Sequence, residues 1–173
     1  FLALIDTLAS QGITLAHLDI GGGLGVTYLD ETPPHPSEYA AEVVKRLGNY
    51  PHLTLVFEPG RAIMANAGVL VTKVEFLKPG QEKNFAIVDA AMNDLARPAM
   101  YGAWHDFDAV RPTGERMTAN IVGPICETGD TFAMGREIDA LEAGDLAVFR
   151  TAGAYGATMA SSYNSRGFVA EVM

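Results

Sequence analysis

A short segment in the first half of the chain combines an acid, a proline, a glycine and an arginine. These residues are Glu58, Pro59, Gly60 and Arg61, and they directly follow an apolar run that contains Leu53, Leu55, Val56 and Phe57. A buried strand holds the side chains at its tip in a rigid position, so groups that bind charge there indicate a site. An acid before a proline-glycine turn is also common in ordinary turns, where Glu58 would form only a surface salt bridge.

A glycine-rich segment upstream strengthens the indication of a site. It contains Gly21, Gly22, Gly23 and Gly25. A backbone without Cβ atoms adopts positive φ readily, and its amides can approach an anion closely. The alternative is a tight turn, but amides acting with the Arg61 guanidinium suit a phosphate dianion. The dinucleotide-binding fingerprint is excluded, because Val26 stands where that motif needs Gly or Ala.

The only cysteine of the chain, Cys126, precedes Glu127 and lies close to Asp130. A lone cysteine is most often a small buried hydrophobe. Neighbouring carboxylates disfavour a thiolate, however, so we expect the thiol to stay protonated near neutral pH. A protonated thiol suits a proton donor better than a nucleophile.

Two further segments offer side chains to a ligand. Arg97 and Tyr101 could together hold a carboxylate, although an ordinary surface pair explains them equally well. Pro98 places Arg97 in a loop or in the first turn of a helix. Tyr155 lies among glycines and alanines, which leaves its ring face and hydroxyl free for a ligand. The histidines show no metal-ligand spacing, so we predict no metal site and expect structural or solvent-facing roles for His17, His35, His52 and His105.

A strand, a helix and a second strand must position the glycine segment and Glu58. Residues 15–20 and 53–57 predict the strands. Ser37 is the expected N-cap of the intervening helix, whose apolar face is formed by Tyr39, Val43 and Leu47. The strands of such a unit are parallel, so their carboxyl ends meet on one face. In a (β/α) barrel that face binds ligands.

The second half of the chain is richer in strands. Residues 69–77, 85–88, 118–122 and 145–150 predict strands, with Gly, Pro and Asp between them. No second amphipathic helix is predicted in this half. We therefore expect an α/β part, residues 1–66, followed by a mostly β part, residues 67–173.

Composition and charge exclude several classes of protein. The formal net charge of -9 argues against binding nucleic acid through its phosphates. With 49% hydrophobic and 19% charged residues, the chain is typical of a globular protein. No apolar run approaches the roughly 20 residues that a membrane span needs. One cysteine forms no internal disulfide and favours a reducing compartment such as the cytoplasm.

Both ends of the chain predict elements that continue beyond it. Phe1, Leu4, Ile5 and Leu8 are spaced as in an amphipathic helix, which is expected to end near Gly12. Residues 169–173 are typical of an unfinished strand. We therefore expect the chain to be an internal piece of a longer protein.

Together, these motifs resemble those of the diaminopimelate decarboxylase family. The motifs are residues 17–23, 58–61, 126–130 and 153–155, in the order in which that family carries them. The family belongs to the decarboxylases that depend on pyridoxal 5'-phosphate (PLP) and have the alanine-racemase-like fold. The resemblance covers essentially the whole chain, which corresponds to the second half of the sequences of that family. It implies the C-terminal part of a (β/α)8 barrel followed by a mostly β C-terminal domain that is incomplete at its end.

The resemblance implies a role for each motif residue. Gly23 and the amides of Gly60 and Arg61 would hold the PLP phosphate beside Pro59, and Glu58 would face the pyridine nitrogen. Arg61, Arg97 and Tyr101 would grip the distal end of the substrate, and Glu127 would select its distal ammonium group. Cys126 would reach the site of the partner subunit in a homodimer and protonate the carbanion left by CO2. Tyr155 would contact both cofactor and substrate.

The implied reaction is decarboxylation of meso-2,6-diaminopimelate to L-lysine, a step of lysine biosynthesis. On the same fold, the alternative is a decarboxylase of ornithine, arginine or carboxynorspermidine. Those enzymes usually carry Asp directly after the cysteine, where this chain has Glu127. Arg97 also favours diaminopimelate. The distal carboxylate of diaminopimelate needs a cation to pair with, whereas ornithine has no distal carboxylate.

The lysine that links PLP covalently in this family is expected in the first half of the family's sequence, as is the histidine that stacks on the ring. The lysines of this chain are Lys45, Lys73, Lys78 and Lys83, and none is predicted at the tip of a barrel strand. We therefore expect these 173 residues to be inactive alone. A non-catalytic homologue that binds a partner protein is the alternative from a different functional class.

Overall fold

The computed structural model describes residues 1–173 and contains two separate sheets. The first sheet consists of two parallel strands, β1 (His17–Asp19) and β2 (Thr54–Val56), joined through helix α2 (Pro36–Arg46). Helix α1 (Leu2–Ser10) precedes them, and Gly12 follows it with a φ of 80°. The predicted strand-helix-strand unit is thereby confirmed, with strands shorter than the apolar runs suggested.

A small apolar cluster holds this first unit together. Ile5 of α1, Leu18 of β1 and Leu47 after α2 are buried against one another. Val43 of α2 packs against this cluster, as expected from the amphipathic pattern of the helix. The cluster fixes the orientation of β1 and β2, and so the place where both strands end.

The N-cap of α2 is His35, so the prediction of Ser37 was wrong. Nδ1 of His35 accepts a hydrogen bond from the Ser37 amide at 3.3 Å, and the Glu38 carboxylate accepts one from the His35 amide at 2.9 Å. This reciprocal pair is a capping box, in which a histidine nitrogen takes the place of the usual hydroxyl. The helix begins early because Pro36 fits at the first helical position, where no N–H is needed.

The second sheet has six strands in the order β5-β8-β3-β4-β6-β7. The strands are β3 (Leu70–Lys78), β4 (Phe85–Val88), β5 (Phe107–Ala109), β6 (Arg116–Val122), β7 (Thr131–Asp139) and β8 (Leu146–Phe149). All pairings are antiparallel except β4 with β6. Two short helices accompany the sheet: α3 (Gly60–Met64) before β3 and α4 (Arg97–Tyr101) before β5.

The six-stranded sheet curls into a barrel-like shape. Its two edge strands approach each other, and the Ala109 amide of β5 donates a hydrogen bond to the Asp139 carboxylate of β7 at 3.1 Å. The interior is a single apolar core in which the ring of Phe149 lies 4.8 Å from that of Phe107 and 4.5 Å from that of Phe132. A mostly β second half is therefore confirmed.

Three further features differ from the sequence-based predictions. Strands β5 and β7 were not predicted, and residues 169–173 form no strand. In β7, Gly135 has a φ of 55° and interrupts the alternation of apolar residues by which strands are predicted. Residues 169–173 take part in no backbone ladder with any strand. None of the helices has the length and apolarity required of a membrane span.

Candidate functional site

The strands β1 and β2 end beside each other and bring the glycine segment against Glu58. The Glu58 amide donates to the Gly21 carbonyl at 2.8 Å, and the Gly21 amide donates to the Asp19 carboxylate at 2.8 Å. A Cβ on Gly22 would lie 2.6 Å from the Glu58 carbonyl oxygen, so only glycine permits this approach. Gly21 and Gly23 adopt φ values of 69° and 80°. The glycines thus shape a turn and also a close contact between two backbones.

Six predicted site residues line one cavity of about 270 Å³ at these strand ends. They are Gly23, Glu58, Pro59, Gly60, Arg61 and Tyr155. The Glu58 carboxylate is exposed and forms no salt bridge, so the alternative of a surface ion pair does not apply. The structure therefore gathers every residue that the sequence indicated for cofactor binding.

Tyr155 reaches this cavity from the second sheet through a close contact of glycines. A Cβ on Gly68 would lie 2.8 Å from the Cα of Gly153, and a Cβ on Gly153 would overlap the Met64 carbonyl oxygen. The Gly153 amide donates to the Ala65 carbonyl at 3.0 Å. Tyr155 itself has a φ of 62°, a strained value for a residue with a side chain. This strain points to an enforced position at the cavity.

Arg61 lies at the start of α3 with its guanidinium carbon 5.3 Å from the centre of the Tyr155 ring. It forms no salt bridge within the chain. Its amide is in the first helical turn, where amides have no intrahelical acceptor. The Gly60 amide already donates to the Glu58 carbonyl at 2.8 Å. Of the two amides indicated for a phosphate, that of Arg61 is therefore the freer donor.

Arg97 lies outside the cavity and is buried, which excludes an ordinary surface pair with Tyr101. Its guanidinium carbon lies 4.4 Å from the centre of the Tyr28 ring, and its Nη1 lies 3.1 Å from Nε2 of His105. No carboxylate of the chain pairs with it. A buried arginine without an anionic partner is costly, so its charge is available to an anion from outside the chain.

Tyr101, Cys126 and Glu127 also lie away from the cavity and are exposed. Tyr101 ends α4, four residues after Arg97, and makes no contact with the guanidinium that would indicate a joint clamp. The exposed thiol of Cys126 differs from the buried hydrophobe that is usual for a lone cysteine. A hydrogen bond to the Glu127 carboxylate raises the pKa of the Tyr163 hydroxyl.

A buried carboxylate supports the turn that carries Cys126 and Glu127. Asp130 accepts hydrogen bonds from the Ile125 amide at 2.6 Å and from the Met92 amide at 2.7 Å. Burial raises the pKa of Asp130. Because Met92 belongs to the segment that leads into α4, this one side chain ties the Cys126 turn to the segment that ends in Arg97.

Sequence reasoning did not identify Tyr28 and gave His105 only a structural or solvent-facing role. Both are buried beside Arg97, and their rings lie edge to face at 5.4 Å. Tyr28 sits in a turn that Glu31 closes by accepting from the Tyr28 and Leu29 amides at 2.9 and 2.8 Å. The bonds from Leu29 and Tyr28 lower the pKa of Glu31 to about 2. Only its apolar neighbours Val26 and Leu29 in the sequence could have signalled the burial of Tyr28.

Other parts of the chain offer less to a charged ligand. A cavity of about 490 Å³ lies against residues 168–172, but its only ionisable side chains are the carboxylates of Asp94 and Glu171. No group of three His, Cys, Asp or Glu side chains is placed to hold a metal ion. The cavity at the strand ends is therefore the candidate site.

Comparison with known proteins gives relatives along the whole chain. The family model described as "pyridoxal-dependent decarboxylase, C-terminal sheet domain" matches residues 5–153. The diaminopimelate decarboxylase of Vibrio cholerae serotype O1 is 60% identical over 173 residues, which is 99% of this chain and 41% of the relative. That of Pseudomonas aeruginosa is 57% identical over 173 residues, again 99% of this chain and 41% of the relative.

A solved structure shows the same fold. The diaminopimelate decarboxylase of Helicobacter pylori, crystallised in complex with L-lysine, superposes with a TM-score of 0.90 at 40% identity. The match covers 96% of this chain and 41% of that one. The chain thus spans about two-fifths of the length of the relatives that it matches.

Proposed function

Because this chain belongs to the family of pyridoxal-dependent decarboxylases through their C-terminal sheet domain, we propose that it is part of a PLP enzyme that converts meso-2,6-diaminopimelate to L-lysine and CO2. The named relatives at 60% and 57% identity are diaminopimelate decarboxylases, which supports this choice of substrate. The reaction is a step of lysine biosynthesis, and we place the enzyme in the cytoplasm. In this proposal the activity belongs to a longer protein, since the chain spans about two-fifths of the length of these relatives.

Residues 1–66 form the end of a (β/α)8 barrel in this proposal, and residues 67–173 form the β domain. The parallel pair β1 and β2, which has α2 between them, is the unit from which such barrels are built. Ligands of these barrels bind at the carboxyl ends of the strands, where the cavity of this chain lies. The remaining strands of the barrel belong to the part of the relatives that this chain does not cover.

The cavity at the strand ends has the chemistry that PLP requires. Gly23 and the Arg61 amide hold the phosphate, because a backbone free of Cβ atoms can approach it and the Arg61 side chain has no competing carboxylate. Glu58 keeps the pyridine nitrogen protonated, and Tyr155 packs beside the cofactor. When bound, PLP supplies the electron sink that stabilises the charge left when CO2 departs.

The observation that carries the choice of diaminopimelate is the buried, uncompensated Arg97. Its charge has no carboxylate partner, and a substrate with a distal carboxylate supplies one. In this proposal, Tyr101 and Arg61 also bind the distal end of the substrate. Ornithine lacks the distal carboxylate and would place an ammonium group against the guanidinium.

Cys126 and Glu127 act in the site of a partner subunit in this proposal, since they lie away from the cavity of their own chain. The Glu127 carboxylate selects the distal ammonium group of the substrate. The Cys126 thiol delivers a proton to the carbon that has lost CO2. The active enzyme is accordingly a homodimer, and the chain alone is inactive because the lysine that carries PLP lies outside it.

The test is CO2 release by the full-length enzyme with PLP, offered meso-diaminopimelate, ornithine and arginine separately. We expect strong preference for meso-diaminopimelate. Arg97→Gln should raise its KM about 10- to 100-fold, the loss expected for a charged hydrogen bond. Arg111→Gln is the matched control, since Arg111 is exposed and forms no salt bridge.

Two outcomes would contradict the proposal. Preference for ornithine or arginine would be compatible with the fold and the PLP site but would contradict the proposed binding of a distal carboxylate by Arg97. Release from none of the substrates would favour a non-catalytic homologue.

A further inference from the structure

Tyr28, Arg97 and His105 form a buried cluster that joins the two halves of the chain. Tyr28 follows the glycine segment, whereas Arg97 and His105 lie at α4 and before β5 of the second half. The Arg97 guanidinium lies over the Tyr28 ring at 4.4 Å, and the His105 ring meets the same tyrosine edge to face at 5.4 Å. The guanidinium is thus contacted by the Tyr28 ring and, at 3.1 Å from its Nη1, by Nε2 of His105.

The hydrogen bonds of His105 define one tautomer. Nδ1 of His105 lies 2.9 Å from the Arg150 carbonyl oxygen, which can only accept, so Nδ1 carries the proton. Nε2 lies 3.1 Å from Nη1 of Arg97, which can only donate, so Nε2 is the acceptor. A neutral imidazole with its proton on Nδ1 satisfies both neighbours. An imidazolium would satisfy only the carbonyl.

The neutral state of His105 follows from its surroundings. Burial is the main cause that lowers the pKa of His105, and the charges of Arg97 and Arg136 lower it further. The hydrogen bond to Arg150 and the charge of Asp106 act in the opposite direction without reversing the shift. At neutral pH the ring therefore holds Arg97 without neutralising it.

A carboxylate in the place of His105 would have a different effect. Buried arginines are usually paired with Asp or Glu, which fix the guanidinium and also cancel its charge. A neutral acceptor fixes the same group and leaves the charge for a ligand. The remaining N–H groups of Arg97 are then available to an incoming carboxylate, which binds such a fork in bidentate fashion.

We propose that His105 is a positioning residue that holds Arg97 against the Tyr28 ring and leaves its positive charge for the distal carboxylate of the substrate. This inference rests on the proposed function, because it takes the substrate role of Arg97 from there. Beyond that function, the preference for a substrate with a distal carboxylate depends on an uncharged hydrogen-bond acceptor at position 105.

The test compares two ligands that differ only in this carboxylate. L-lysine carries it, and cadaverine is the same molecule without it. The Kd of each is measured by isothermal titration calorimetry on the full-length, PLP-loaded enzyme, and the ratio of the two values reports the contribution of the carboxylate independently of turnover. His105→Gln and His105→Glu form a matched pair of equal shape, and only the second brings a charge.

We expect the wild type and His105→Gln to prefer L-lysine by similar factors, because the glutamine carbonyl is a neutral acceptor. His105→Glu should lower this preference by about tenfold or more, since its carboxylate competes for Arg97. His52→Gln serves as the control, because His52 is exposed and does not contact Arg97. Circular dichroism and PLP absorbance establish that each variant is folded and loaded.

Arg97→Gln distinguishes a failure of the proposed role of His105 from a failure of the proposed function. If it abolishes the preference for L-lysine while His105→Gln and His105→Glu give equal ratios, the role of His105 is overturned and the proposed function stands. If Arg97→Gln leaves the preference for L-lysine over cadaverine unchanged, the proposed substrate role of Arg97 is wrong. The proposed role of His105 is then wrong as well, because it acts through Arg97.

Discussion

Two arginines of this chain are held by tyrosine rings and not by carboxylates. Arg61 faces Tyr155 and Arg97 faces Tyr28, whereas Arg116 and Arg150 pair with acids on the sheet surface. A ring face attracts a cation and fixes its position, yet it leaves the net charge in place. The two proposed anion-binding residues thus share one physical solution, since both remain charged and ordered before a ligand arrives.

The neutrality of His105 leads to a prediction on pH. The folded-state pKa lies below the ordinary value of 6.5, mainly because of burial, so the unfolded state binds the proton more readily. The contribution of His105 to stability is therefore complete above about pH 6.5 and is lost as the pH falls towards the lowered folded-state pKa.

Chemical denaturation of the full-length enzyme between pH 7.5 and pH 5 would measure this effect. The free energy of unfolding of the wild type should fall relative to that of His105→Gln, which has no titrating group at this position. A difference that stays constant over the whole range would contradict the assignment of a buried neutral ring.

At the level of elements, the turn between β6 and β7 is organised by the Asp130 carboxylate. Both of its oxygens accept backbone amides, those of Ile125 and Met92. Gly123 lies against the same carboxylate, and a Cβ there would overlap it. The turn that presents Cys126 therefore depends on a glycine that makes room for an acid.

Gly123→Ala should destabilise the protein by about 1–3 kcal/mol, because Asp130 would have to move and leave buried amides without an acceptor. The control is Gly129→Ala in the same turn, where a Cβ would meet only the Met92 sulfur at 3.8 Å. The midpoint and slope of urea unfolding of the full-length enzyme give the free energy of unfolding of each variant. Equal stability of the two variants would show that Asp130 tolerates displacement.

At the level of the whole molecule, the segment that follows β8 packs its backbone directly against the segment that joins β2 to β3. Gly68 and Gly153 touch, and the Ala152 amide donates to the Gly68 carbonyl at 2.9 Å. This junction lies two residues before Tyr155, which lines the proposed PLP site together with residues of the first unit. The site therefore depends on the spacing between the units.

Gly153→Ala should widen this junction and draw Tyr155 away from Arg61. We expect PLP to bind the full-length enzyme about 3- to 30-fold more weakly, which corresponds to the loss of a contact between a cation and a ring. Titration of the apoenzyme with PLP, followed by absorbance, measures the change. Gly167→Ala is the control, because a Cβ there would meet no atom within 4 Å. Unchanged affinity in a folded Gly153→Ala variant would show that Tyr155 is placed independently of this contact.

Local patterns in the sequence were sufficient for much of the fold and for the cavity. The apolar runs and the glycines predicted β1, β2 and the turn between Gly21 and Gly25, and parallel pairing then brought Glu58 to the same place. Strand β4 was predicted with its observed bounds, Phe85–Val88. These features depend on residues near one another in the chain, or on a pairing rule that follows from the order of elements.

The tertiary structure decided what depends on distant residues. Strand β7 forms despite Gly135 because β6 pairs with it, and Asn120 of β6 accepts the Gly135 amide at 2.7 Å. The burial of Arg97, its contact with Tyr28 and the tautomer of His105 likewise come from segments far apart in the sequence. Composition and spacing identify which groups can bind charge. Only folding determines whether a carboxylate that neutralises such a group, or an uncharged group that leaves its charge in place, lies beside it.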